Sequence, residues 1–236
     1  GVPGAVMLGL GSIIGTGVFV SLASGADIAD ARVLPAIALA GLVALCNGLG
    51  SAQLAANHPV SGGTYEYGHR WLNPSLGFVA GWMFLCAKSA SAATAALGFA
   101  LYVMPEQTLP MALGLTVVIT GLTLTGLQRS NAVNTIIVAL VLLSLAAFVA
   151  TGAPALAQHS ERFEPLFDSQ RLPDLLQAAA LMFVAYTGYG RIATLGEEVR
   201  EPRQTIPRAI IITLCVTAAL YVLVGVVALS SVGAVD

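Results

Sequence analysis

Glycines interrupt an apolar stretch near the start of the chain, where residues 9–19 read Gly-Leu-Gly-Ser-Ile-Ile-Gly-Thr-Gly-Val-Phe. Four of them, Gly9, Gly11, Gly15 and Gly17, fall within nine residues. Each glycine costs a helix interior about 1 kcal/mol relative to alanine, so the pattern predicts a membrane helix that opens part-way. Backbone groups exposed at membrane depth are tolerated where they line a cavity or meet a ligand. The stretch therefore predicts a binding site made of main-chain atoms.

A second apolar stretch, residues 181–198, carries Gly188 and Gly190 at its middle and Arg191 beside them. Glycine-interrupted segments at corresponding places in two halves of a membrane protein indicate the binding site of a secondary transporter. The two stretches fall in the first and sixth predicted spans, so they imply a repeat of five helices. For the first stretch taken alone, close packing of two helices at glycines four residues apart is the alternative.

Composition places both stretches in a membrane protein, because 57% of the 236 residues are hydrophobic and 9% are charged. A net charge of −2 without a basic stripe argues against a nucleic-acid partner. At about 20 residues per crossing, the chain predicts an all-α, polytopic helix bundle with about seven spans in the lipid bilayer. The predicted spans cover about residues 4–24, 33–56, 76–103, 109–126, 131–152, 173–196 and 209–232.

The arginines of the predicted loops are unequally divided between the two sides of the membrane. The loops after the second, fourth and sixth spans hold Arg70, Arg129, Arg200, Arg203 and Arg208. The opposite side holds Arg32, Arg162 and Arg171. The positive-inside rule then places the N-terminus in the cytoplasm, in a plasma or inner membrane. The chain begins with Gly1 where an initiator Met would be expected, so we expect it to be trimmed at that end.

Three segments resemble signatures of amino acid permeases in the amino acid, polyamine and organocation superfamily. They are Gly-Ser-Ile-Ile-Gly-Thr-Gly-Val-Phe (11–19), Pro-Val-Ser-Gly-Gly-Thr-Tyr-Glu-Tyr (59–67) and Glu-Glu-Val-Arg-Glu-Pro-Arg-Gln-Thr-Ile-Pro-Arg-Ala (197–209). The resemblance implies the LeuT fold, two inverted repeats of five helices with substrate between helices one and six. Residues 1–236 would then form one transporter domain, in which 1–152 is the first repeat and 173–236 begins the second. Ten core helices are needed, so we expect the chain to be incomplete.

The chemistry of two broken helices fits a zwitterion. If the first span unwinds around residues 14–17, the second half-helix begins there, and its free N–H groups and positive dipole end face a carboxylate. The first half-helix ends near Ile13 and Ile14, whose carbonyls can accept from an ammonium group. The resemblance adds the carbonyls of three residues in the sixth span. The predicted substrate-binding residues are Ile13, Ile14, Gly15, Thr16, Gly17, Val184, Ala185 and Thr187.

Four further residues are candidates for gating or coupling. Tyr186 and Tyr189 could form an aromatic gate, although packing is the alternative for each. Lys88 and Arg191 are charged inside predicted spans, which makes them functional candidates by default. Lys88 could couple transport to protons, whereas a guanidinium stays charged and cannot carry one. The resemblance implies an acidic residue where this chain has Gly190, so Gly190-Arg191 departs from the family pattern; this departure favours neutral or acidic amino acids over cationic ones, and a structural ion pair with a helix outside this chain is the alternative. The sequence leaves H⁺ or Na⁺ coupling open.

The predicted function is therefore secondary active transport of an amino acid by alternating access. A polyamine or other organic-amine exchanger of the same fold is the alternative. An enzyme is disfavoured because His58, His69 and His159 lie near span ends or in loops, and no cofactor or metal site is expected. A channel or a seven-helix receptor would fit the number of spans, but the three permease signatures argue against both.

Overall fold

The computed structural model describes residues 1–124, 127–156 and 172–231, which form a bundle of helices without a β-strand. Arg162, Arg171 and His159 lie outside these ranges. The helices are α1 (Val2–Thr16), α2 (Leu22–Ala29), α3 (Val33–Asn57), α4 (Thr64–Trp71), α5 (Pro74–Val103), α6 (Thr108–Leu124), α7 (Leu127–Leu156), α8 (Leu172–Tyr186), α9 (Gly190–Ala193) and α10 (Pro202–Ser231). The prediction of an all-α, polytopic membrane protein is confirmed.

Five stretches within the described residues are long and apolar enough to cross a membrane. They are Val2–Asn57, Pro74–Val103, Pro105–Leu124, Ala132–Pro154 and Pro202–Ser230. The first contains both the first and second predicted spans, which a 3₁₀ turn at Asp30–Arg32 separates. The sixth predicted span corresponds to α8 and α9. It lies outside the five because an interruption after Tyr186 leaves α8 with 15 residues.

Small residues on α3 allow the core helices to approach closely. Ala36, Ala40, Ala44 and Gly48 recur every fourth residue and are all buried, so they form one face of the helix. Helices α8 and α10 both contact α3. A Cβ atom added to Gly48 would lie 2.7 Å from a methyl carbon of Leu214 on α10. Close packing of this kind is how membrane helices associate in the absence of a hydrophobic driving force.

The first span changes helix type at its glycines instead of unwinding. Helices α1 and α2 are joined by a π-helical turn at Gly17–Ser21. The N–H of Gly17 donates to the carbonyl of Ile14, and the N–H of Leu22 donates to the carbonyl of Gly17. Helical hydrogen bonding therefore continues through the predicted break. The structure corrects the expected form of this break, and π-helical turns of this kind occur frequently at functional sites.

The sixth span is interrupted at its glycines, as the sequence predicts. Helix α8 ends at Tyr186, a 3₁₀ turn covers Thr187–Tyr189, and α9 contributes one further turn from Gly190 to Ala193. Each change of helix type alters which amide donates to which carbonyl, so both interruptions leave main-chain groups without their ordinary α-helical partners.

Candidate functional site

The two interruptions pack directly against each other. A Cβ atom added to Gly188 would lie 2.6 Å from the carbonyl oxygen of Ser12 and would overlap the side chain of Ile13. A Cβ atom added to Gly17 would lie 3.1 Å from the Cβ atom of Ala185. Glycine is required at Gly188 because the backbone of one interrupted helix touches the backbone of the other. The structure thus brings the two interruptions into contact at Gly17 and Gly188.

A tyrosine from α10 joins these two helices. The Tyr221 hydroxyl donates a hydrogen bond to the carbonyl oxygen of Ile13 at 3.0 Å, and the carbonyl oxygen of Ala185 lies 3.5 Å away. Tyr221 is completely buried, and its hydroxyl would overlap a Cβ atom added to Gly17. Both carbonyls belong to the predicted substrate-binding residues. Tyr221 therefore lies at the contact between the two interruptions, beside two predicted binding residues.

Sequence reasoning missed Tyr221, although a usable signal was present. Its hydroxyl stands in the middle of the apolar seventh span, and a buried tyrosine hydroxyl usually finds a hydrogen-bond partner. At membrane depth, that partner is expected to be a backbone carbonyl released by a helix interruption. The partner, Ile13, lies 208 residues away along the chain.

The change of helix type explains why Ile13 can accept from a side chain. In a regular α-helix its carbonyl would accept from the N–H of Gly17, four residues later. That N–H donates to Ile14 instead. The Ile13 carbonyl therefore loses its ordinary donor, and Tyr221 supplies another. The carbonyl of Ile14 and the N–H of Gly17, both predicted to meet substrate, are paired with each other in this conformation.

Two predicted binding residues of α1 face a cavity that Tyr221 does not line. Gly15 and Thr16 line a cavity of about 470 Å³ together with Phe19 and residues of α5. A Cβ atom added to Gly15 would meet nothing within 4 Å. The cavity is bounded mainly by apolar side chains, such as Phe99 and Val103. Gly15 and Thr16 thus lie apart from the contact between Gly17 and Ala185.

The predicted binding residues of the sixth span also have different surroundings from one another. Ala185 is buried, but the side chain of Val184 is 64% exposed and its carbonyl accepts from the hydroxyl of Thr187 at 2.7 Å. Thr187 lines a cavity of about 650 Å³ that also contains Tyr189 and Phe84. In the described conformation these residues therefore do not surround a single cavity with Gly15 and Thr16.

The two candidate gate tyrosines have different surroundings. Tyr186 is completely buried, its ring centroid lies 5.2 Å from that of Tyr221, and its hydroxyl donates to the carbonyl of Ile37 at 3.4 Å. Tyr189 lines the cavity of about 650 Å³, beside Asn47 of α3. Tyr186 therefore acts in packing here, whereas Tyr189 is placed at the wall of an accessible space.

The two intramembrane cations lie on the same side of the site. The Nζ atom of Lys88 donates to the hydroxyl of Ser12 at 3.4 Å and lies 5.6 Å from the ring centroid of Phe84. It is also within range of electrostatic repulsion from Arg191 on α9. Lys88 thus contacts α1 at Ser12, and its ammonium group lies within the electrostatic range of the Arg191 guanidinium. This arrangement disfavours a cation in the same space.

The second permease-like segment, residues 59–67, packs against the end of the sixth span. A Cβ atom added to Gly196 would lie 2.6 Å from backbone atoms of Pro59 and Val60. Gly63 has a φ of 53°, in the left-handed region that favours glycine, where it lets the chain turn into α4. In α4, burial raises the pKa of Tyr67. The loop after α3 and the end of the sixth span therefore pack against each other.

Each of the three permease-like segments contributes residues to one hydrophobic core cluster, among them Ile13, Tyr67 and Ile206. Residues 4–235 match the model of the family described as amino acid permease. The chain belongs to the amino acid permease family. This membership confirms the resemblance that the three motifs predicted. It also supports the assignment to a multi-pass membrane protein.

Several relatives of this permease chain are transporters by name. An uncharacterized transporter of Mycobacterium tuberculosis strain H37Rv is 44% identical over 229 residues, which cover 97% of this chain and 52% of the relative. The branched-chain amino acid permease of Bacillus subtilis is 31% identical over 94% of this chain and 52% of its own length. The low-affinity putrescine importer of Escherichia coli is 26% identical over 92% and 50%. The chain spans about half the length of these relatives.

Proposed function

We propose that the full-length permease containing this chain is a secondary active transporter that moves an amino acid across the plasma or inner membrane by alternating access. The contact of Gly188 with Ser12 and Ile13 carries the proposal, because it joins two interrupted helices through their backbones. Main-chain groups at such a junction recognise what all amino acids share, an ammonium and a carboxylate. The N-terminus of the chain would face the cytoplasm.

The described conformation would be one state of the transport cycle. In it, carbonyls of Ile13, Ile14 and Val184 accept from protein groups. Binding of a zwitterion would require these bonds to be exchanged for bonds to substrate. A ligand shifts such an equilibrium by its difference in affinity for the two states, so exchange of hydrogen bonds supplies a mechanism for coupling binding to conformational change.

The relatives support a substrate that carries an ammonium group. One is named a branched-chain amino acid permease and another a putrescine importer, and both of those compounds contain amines. A polyamine would present two or more positive charges to the site. Because Lys88 contacts Ser12 of α1 and lies within the electrostatic range of Arg191, we favour a neutral or acidic amino acid over a polyamine.

Uptake by the full-length protein in proteoliposomes tests this function. The panel consists of the twenty amino acids and common polyamines, each with and without imposed proton and sodium gradients. We expect saturable uptake of at least one neutral or acidic amino acid, and the gradient that drives accumulation identifies the coupling ion. Absence of saturable uptake for every amino acid would refute amino acid transport, and saturable uptake of polyamines alone would favour the exchanger.

Replacing Lys88 by glutamine is expected to relax discrimination against cationic substrates. Removing one of two neighbouring positive charges lowers the repulsion felt by arginine or putrescine by roughly 1 kcal/mol or more at an effective dielectric constant near 20. Uptake of these compounds relative to leucine should rise about fivefold. Competition against labelled substrate measures the ratio. Lys88→Arg keeps the charge and is the matched control; an unchanged ratio in Lys88→Gln would remove Lys88 from substrate selection.

A further inference from the structure

The hydroxyl of Tyr221 lies at the position from which the ammonium group of a bound amino acid is expected to donate hydrogen bonds. It bonds the carbonyl oxygen of Ile13 at 3.0 Å, and the carbonyl oxygen of Ala185 is 3.5 Å away. One carbonyl comes from the first interrupted helix and the other from the sixth. An ammonium group placed between these helices would use the same two acceptors, so hydroxyl and ammonium cannot both occupy the position.

We propose that the Tyr221 hydroxyl holds the ammonium acceptors in this conformation and that the substrate ammonium displaces it during the transport cycle. This inference rests on the proposed function. Tyr221 is then a positioning residue whose hydroxyl competes with the substrate ammonium for the two carbonyls, and its role is not only to stabilise the fold.

The strengths of the two donors favour displacement. A hydrogen bond from a neutral hydroxyl contributes less than one from a charged group. An ammonium is therefore a stronger donor to a carbonyl than a phenol is. Because Ile13 is 1% exposed, water cannot easily take over its carbonyl when the hydroxyl leaves. An empty position would leave a buried acceptor unpaired, which explains why a side chain fills it.

Space for the displaced ring adjoins the site. A cavity of about 370 Å³ is lined by Val18 and Leu22 from the first span and by Val224 and Gly225, one turn beyond Tyr221 on α10. This cavity is apolar on the side of α10, so it can accept an aromatic ring. Movement of α10 or of the ring toward it would separate the hydroxyl from Ile13. The exchange thus links occupancy of the carbonyls to the position of α10.

Replacing Tyr221 by phenylalanine tests the competition. The variant lacks the competing hydroxyl, so its unliganded form has a buried, unpaired carbonyl while its substrate complex is unchanged. We expect the substrate to bind about 2- to 10-fold more tightly, and exchange of bound for external substrate to slow by a similar factor because release is harder. Equilibrium binding of labelled substrate and counterflow in proteoliposomes measure the two effects on full-length protein.

Thr217→Val is the matched control. Thr217 is completely buried on the same helix, one turn before Tyr221, and its hydroxyl has no hydrogen-bond partner among the residues that the structure describes. The replacement keeps the shape of the side chain and removes no hydrogen bond, so substrate affinity should equal that of the wild type. Unchanged or weaker binding in Tyr221→Phe, with wild-type binding in Thr217→Val, would show that Tyr221 is only structural.

If the Tyr221→Phe variant does not fold, a second measurement tests the proposal on protein that keeps the hydroxyl. Incorporating 3-fluorotyrosine at Tyr221 keeps the hydroxyl, and its ¹⁹F resonance should shift on saturation with substrate. A resonance that stays unchanged at saturation contradicts displacement. If the wild type binds an amino acid and the ¹⁹F resonance at Tyr221 does not shift, only this inference fails. If the wild type binds no amino acid, the proposed function fails and the inference fails with it.

Discussion

Replacing Gly188 by alanine is expected to abolish amino acid uptake and to lower the stability of the full-length permease, whereas replacing Gly190 by alanine is expected to change neither. The added Cβ atom at Gly188 would lie 2.6 Å from the backbone oxygen of Ser12. At Gly190 the nearest atom would be an edge carbon of Phe84 at 3.6 Å, an ordinary contact. The two residues are two positions apart, Gly188 within the 3₁₀ segment and Gly190 at the beginning of α9, so they form a matched pair.

The physical reason for the effect at Gly188 is that a backbone atom cannot rotate away as a side chain can. The two helices must separate, and overpacking of this kind typically costs about 1–3 kcal/mol, roughly a 5- to 150-fold change in a conformational equilibrium. Thermal unfolding in detergent and uptake in proteoliposomes measure the two consequences. Normal uptake by Gly188→Ala would show that the backbone contact is dispensable and would weaken the assignment of the site.

Replacing Gly15 by leucine is expected to abolish substrate binding while leaving the protein folded. Gly15 faces a cavity of about 470 Å³, and a Cβ atom there would meet nothing within 4 Å. An isobutyl group therefore fits without displacing a helix. It would cover the first interruption on the side of Thr16, where we expect the substrate carboxylate to approach the beginning of the second half-helix.

Gly4→Leu provides the control for this substitution. Gly4 lies on the same helix, also has nothing within 4 Å of an added Cβ atom, and lies three turns from Gly15. We expect both variants to show the thermal stability of the wild type, and only Gly15→Leu to lose binding of labelled amino acid. Wild-type affinity in Gly15→Leu would place the substrate away from this face of α1.

The positions of both helix interruptions could be predicted from the sequence, because glycine is unfavourable in a helix and the two stretches occupy corresponding places in two halves of the fold. Gly17 begins the π-helical turn, and Gly188 lies within the 3₁₀ turn. The contact between them follows from the same residues, since only a glycine lets two backbones touch. These parts of the fold depend on residue type and local spacing.

The form of the first interruption could not be predicted, because it depends on a partner that is remote in sequence. Whether Ile13 keeps its α-helical donor is decided together with Tyr221, which comes from another helix. The exposed position of Val184 was also beyond prediction. Its orientation depends on how α8 is rotated against its neighbours, which a helix that is apolar on most faces does not encode.

Competition by modified substrates tests the central claim, that main-chain groups of two interrupted helices recognise the zwitterion. For the best amino acid of the uptake panel, its methyl ester lacks the carboxylate and its 2-hydroxy acid lacks the ammonium. We predict that the unlabelled amino acid inhibits counterflow of the labelled compound in proteoliposomes, while neither analogue does at the same concentration. Equal inhibition by the ester or by the hydroxy acid would contradict recognition of both groups by the backbone.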